Sequence, residues 1–281
     1  MTAPTGGPFG ERLRTAMAAR GPLCAGIDPH AGLMTAWGLS DTVDGLERFA
    51  LGAAEALAPV VAAVKPQSAF FERFGSRGIA VLERTIEVCR EAGALVVLDV
   101  KRGDIGSTAQ AYADAYLDPS SPIAVDAITA SPFLGFGSLA PMLDTARKHD
   151  AGVFVLALTS NPEGAEVQHA TAADGRTDAA HVLAALREAN AGAGALGSFG
   201  AVVGATIGEA VDAALDIGGP LLVPGIGAQG GTVDDVRRIF AGVLGAVLPS
   251  SSREILGAGP DPAALRAAAE QAAATFSALA G

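Results

Sequence analysis

The 281-residue sequence predicts an α/β fold of the closed (β/α)₈, or TIM, barrel type, with one domain over residues 1–281. Three observations carry the prediction. Short apolar runs alternate with amphipathic segments eight times along the chain. No stretch rich in Pro, Gly or Ser is long enough to split them. Polar and Gly-rich residues collect just after the apolar runs, at the carboxyl ends where such a barrel keeps its active site.

The elements follow in order. About the first twenty residues read as an irregular N-terminal segment. A strand near 23–27 is followed by a helix over 42–57. The second strand, 61–65, leads to a helix over 78–91, and the third, 95–101, to one over 105–117. The fourth strand, 124–129, precedes a helix over 139–149. After the fifth strand, 153–159, a polar stretch over 161–177 has the length of a functional loop. A helix over 178–193 comes next. Strands six (201–206), seven (221–224) and eight (246–248) precede helices over 208–216, 233–240 and 260–279.

Half of the residues are hydrophobic but only 5% are aromatic, so a large core must be built from Ala, Val, Leu and Ile. The net charge of −11 argues against nucleic acid or an anionic membrane as a partner. Two cysteines, Cys24 and Cys89, make no disulfide framework, and the four histidines are too scattered for a metal site. Residues 1–14 lack the apolar segment of a signal peptide. The charge-free stretch over 189–208 is too interrupted by glycine to span a membrane. A soluble, reduced, cytoplasmic protein is expected.

The run Leu98-Asp99-Val100-Lys101-Arg102-Gly103-Asp104 carries the most chemistry. Residues two apart in a strand share a face, so Asp99 and Lys101 project together. The strand is too apolar to be an edge, so these charges leave a buried element side by side. Lys65 closes the neighbouring strand. A lysine there can simply snorkel to solvent. Next to Asp99 and Lys101, however, each charge pair is worth about 4 kcal/mol at an effective dielectric near 20. Such an array suits stabilisation of developing negative charge or delivery of a proton. A Schiff-base lysine needs a neutral amine, which adjacent carboxylates disfavour.

Gly225-Ile226-Gly227-Ala228-Gln229-Gly230 fits a dinucleotide fingerprint, but it stands in the seventh unit instead of the first. The loops after strands seven and eight of a barrel often hold phosphate, and Arg253 can bind one bidentately. A phosphate cradle is the better reading.

Together, Asp99-x-Lys101-x-x-Asp104, Lys65, Asp28 after strand one, Leu158-Thr159-Ser160-Asn161-Pro162 and Pro224-Gly225-Ile226-Gly227-Ala228-Gln229 resemble the orotidine 5′-phosphate decarboxylase family, in its longer bacterial branch. The resemblance implies a homodimeric barrel that converts orotidine 5′-monophosphate to UMP and CO₂ with no metal or organic cofactor. It implies that Lys101 protonates C6 and that Asp99 lies near the leaving carboxylate. Asp28 and Lys65 would contact the ribose hydroxyls, and Ser160 the pyrimidine edge. Gln229 and Arg253 would hold the phosphate, with Pro224, Gly225, Gly227 and Ser252 also binding substrate. Asp104, Ile105 and Thr108 would reach into the partner subunit's site. One departure stands out: Ser131 and Phe133 occupy places where the family often carries an Asn-Pro-Tyr string. Sister enzymes on this scaffold use Mg²⁺ and an enediolate, but want an extra carboxylate where this chain has Lys65-Pro66-Gln67. A silent phosphate-binding barrel would have no need of Asp99, Lys101 and Asp104.

Overall fold

A computed structural model of the chain describes residues 6–207, 215–226 and 230–278. Eight parallel strands close into a barrel in simple sequential order. They are β1 (Cys24–Ile27), β2 (Ala63–Pro66), β3 (Leu95–Arg102), β4 (Ala127–Ala130), β5 (Gly152–Leu158), β6 (Phe199–Val203), β7 (Leu221–Val223) and β8 (Val247–Ser251). Closure is made by β8 on β1, with Cys24 opposite Ser250 and Ala25 opposite Ser251. Nearly every strand residue is buried, as expected where helices cover one face and side chains fill the other.

Around the barrel run α1 (Phe9–Arg20), α2 (Ala31–Ala36), α3 (Val43–Leu57), α4 (Ser68–Glu72), α5 (Gly75–Glu91), α6 (Gly106–Leu117), α7 (Ala140–Lys148), α8 (Ala165–Gln168), α9 (Asp178–Ala189), α10 (Val233–Ile239), α11 (Arg253–Leu256) and α12 (Pro262–Ser277). Several begin where a side chain satisfies an otherwise orphaned amide. Thr42 accepts from Gly45 N, Thr177 from Ala180 N, and Thr232 and Asp235 form a reciprocal capping box.

The N-terminal segment is not irregular: residues 9–20 form α1, which plugs the amino end of the barrel. Phe9 and Leu13 are fully buried among Leu95, Val97, Phe154 and Leu248. The Phe9 ring meets Phe154 edge-on, centroids 5.9 Å apart. Gly152 makes room for it, since a Cβ there would lie 2.3 Å from the Phe9 ring. Arg12 pins the helix, pairing with Asp126 and donating to Asp150 O at 2.9 Å.

Other boundaries also differ. Strand β6 starts and ends earlier than the pattern predicts, and β8 runs on to Ser251, so Ser250 and Ser251 belong to the strand instead of following it. Most of the predicted helix over 208–216 lies outside the described residues. The 161–177 stretch holds a short 3₁₀ turn, α8 and an isolated bridge between Thr171 and Thr177.

Candidate active site

The carboxyl ends of the strands enclose a cavity of about 530 Å³, the size of a small-molecule site. Leu156, Val202 and Leu222 give it an apolar floor, and Asp28, Lys65, Asp99 and Lys101 give it charged walls. Asp28 directly follows β1, Lys65 is the penultimate residue of β2, and Asp99 and Lys101 stand in the last four residues of β3, so each charge comes at the end of an apolar run.

Asp99 is the hub. Its Oδ2 accepts from Lys65 Nζ at 3.2 Å. Its Oδ1 accepts from Lys101 Nζ at 2.6 Å and from the Thr129 hydroxyl at 2.7 Å. Burial alone would push the Asp99 carboxyl up. The Lys65 and Lys101 charges and the hydrogen bonds from Lys101 and Thr129 outweigh it and hold the carboxyl at about 2. Burial likewise works to lower Lys65, yet the charges of Asp99 and Asp28 keep its ammonium above the ordinary lysine range. Asp99 and Lys65 are therefore both ionised throughout the physiological range.

Lys101 does not sit in a regular strand. Its φ is +46°, and the β3–β4 register shifts between Leu98 and Arg102. The shared face predicted from period two is thus reached through a kink, with Lys101 side chain and Asp99 side chain meeting at the cavity wall.

Two further polar atoms are poised for a ligand. Asp28 Oδ1 and Ser252 Oγ are buried without a hydrogen-bond partner among the described residues. They crowd around Gly26, where a Cβ would come within 2.6 Å of Ser252 Cβ and 3.2 Å of Asp28 Oδ2. The set can bind hydroxyl or anionic groups, stabilise negative charge, and supply a proton from a fixed ammonium.

A family model for orotidine 5′-phosphate decarboxylase / HUMPS proteins matches residues 21–268. The chain belongs to this family. Among its decarboxylase relatives, the Nocardioides sp. orotidine 5′-phosphate decarboxylase is 69% identical over 89% of this chain and 92% of its own length. The enzyme of the same name from Salinispora arenicola is 64% identical over 94% and 95%. A Streptomyces avermitilis crystal structure assigned to the same decarboxylase superposes with a TM-score of 0.96 at 58% identity, covering 100% of this chain and 99% of that one.

Of the residues that the decarboxylase resemblance singles out, Asp28, Lys65, Asp99, Lys101, Ser160, Pro224, Gly225, Ser252 and Arg253 all line the cavity. Asp104, Ile105 and Thr108 do not; they lie on the loop after β3 and the first turn of α6, with Ile105 63% exposed. Gly227 and Gln229 lie outside the described residues. Sequence reasoning missed His30, Gln67, Phe70, Thr129, Thr159 and Asn161, which also line the cavity. A signal existed for two of them: His30 and Gln67 stand two residues beyond Asp28 and Lys65.

Proposed function

We infer that this chain decarboxylates orotidine 5′-monophosphate to UMP and CO₂, the last step of de novo pyrimidine biosynthesis. The observation that carries the reading is the Lys65–Asp99–Lys101 array on the wall of a nucleotide-sized cavity. In the reaction the bond from C6 to the carboxylate breaks and its electron pair stays on C6 as CO₂ departs. The Lys101 ammonium stabilises that pair and gives C6 a proton, then regains one from water. Asp99 lies near the substrate carboxylate and keeps both ammonium groups in place. Asp28 and Lys65 take the ribose hydroxyls, and Ser160 the pyrimidine edge. Arg253, Ser252, Pro224 and Gly225, with Gly227 and Gln229, hold the phosphate, whose binding energy is spent on the transition state.

The active unit is a homodimer in which Asp104, Ile105 and Thr108 complete the partner's site. Their position away from this chain's own cavity supports that arrangement. So do the exposed apolar side chains Ile105, Phe133 and Leu134 on the adjoining loops after β3 and β4. The Mg²⁺-dependent sister chemistry fits less well, because both Asp99 oxygens are already committed to Lys65, Lys101 and Thr129.

Purified protein should consume orotidine 5′-monophosphate, followed by absorbance, with EDTA present. Lys101→Ala should lower kcat by at least roughly 10³-fold. A metal requirement, or a Lys101→Ala variant of undiminished rate, overturns the mechanism.

A further inference from the structure

Two features of the site are left unexplained by its charges: Lys101 keeps an uncommon backbone conformation, and its amide falls where the β3–β4 ladder is interrupted. We propose that Thr129, at the carboxyl end of β4, is a positioning residue that sets both Lys101 and Asp99 through a single hydroxyl. The proposal rests on the reading of Lys101 as the proton donor.

The Thr129 side chain is 1% exposed, and its hydroxyl makes two committed bonds. Lys101 N donates to Thr129 Oγ1 at 2.9 Å. A hydroxyl has one proton to give, and it goes to Asp99 Oδ1 at 2.7 Å. That is the oxygen to which Lys101 Nζ also donates, at 2.6 Å. One hydroxyl therefore holds the backbone of the proton donor and orients the carboxylate that receives its side chain.

The left-handed φ gives the backbone contact its importance. Among the described residues only Lys101 and Asp150 combine a side chain with positive φ, and such a conformation persists only when surroundings impose it. With the register shifted at this point, the amide finds the Thr129 side chain instead of a ladder carbonyl as its acceptor. Asp99 is met by Lys65 from β2, Lys101 from β3 and Thr129 from β4, while Asp28, just beyond β1, acts on Lys65. Thr129 alone in that circle touches the Lys101 backbone. The signal lies in a residue that sequence reading passes over as an ordinary strand-end threonine.

Thr129→Val keeps the shape and removes both hydrogen bonds; Thr129→Ser keeps both. If Thr129 positions the donor, Thr129→Val lowers kcat by roughly 10- to 100-fold while KM and the UMP Kd stay within about threefold. Thr129→Ser should restore kcat to within about threefold of the parent. A Thr129→Val enzyme with parental kcat overturns the proposal. So does a serine variant as slow as the valine one, or a loss confined to KM. Should Thr129→Val not fold, Thr129→Cys, a weak donor of similar size, carries the same comparison, with melting temperature as the fold control. If the unaltered protein fails to decarboxylate orotidine 5′-monophosphate, the reading of the reaction falls; if it succeeds and the valine variant keeps pace, only the role of Thr129 falls.

Discussion

Asp99 has a carboxyl that titrates near 2 against an ordinary 3.8, so its charge stabilises the fold with a definite pH signature. The folded value is the lower one. The contribution is therefore complete above about pH 4 and disappears as pH falls toward about 2. In urea unfolding, the stability gap between the parent and Asp99→Asn should be widest above pH 4 and narrow steadily between pH 4 and 3. A gap independent of pH over that interval would show that the carboxylate charge is not what matters. Asp28, Lys65, Asp99 and Lys101 could be read in the sequence because a charged residue ending an apolar run is conspicuous. Thr129 could not, since its role depends on a kink at Lys101 and a register shift that no residue pattern announces.

Among the elements, the strands were legible because runs such as Leu95–Val97 have only one reading between turn signals. Helix α1 was not. Behind Gly6-Gly7-Pro8 its apolar residues are interleaved with Glu11, Arg12 and Arg14, so little marks it as a helix in isolation. It is held by docking: Phe9 and Leu13 fill the barrel end and Arg12 ties it to Asp126. Phe9→Ala should accordingly cost about 3–5 kcal/mol in the unfolding free energy, through lost burial plus the cavity left against Phe154. A cost below about 1 kcal/mol would mean that α1 is a surface attachment and not part of the core.

At the scale of the whole molecule, the charge run that ends β3 and continues past it points to two places. Asp99 and Lys101 face this chain's cavity, whereas Asp104 and Ile105 lie apart from it, which supports the proposed sharing across a dimer. Mixing Asp104→Ala and Lys101→Ala chains tests it directly. Random pairing makes half the dimers mixed, and each has one site with both residues intact, so activity should return to about a quarter of the parental level. No recovery, in mixtures shown to exchange subunits, would rule out sharing. The plug formed by Phe9 and Leu13 has its own consequence for traffic. With the barrel stopped from below, the chamber is a cul-de-sac: nucleotide enters, and gas and product leave, past the same rim of strand ends and loops.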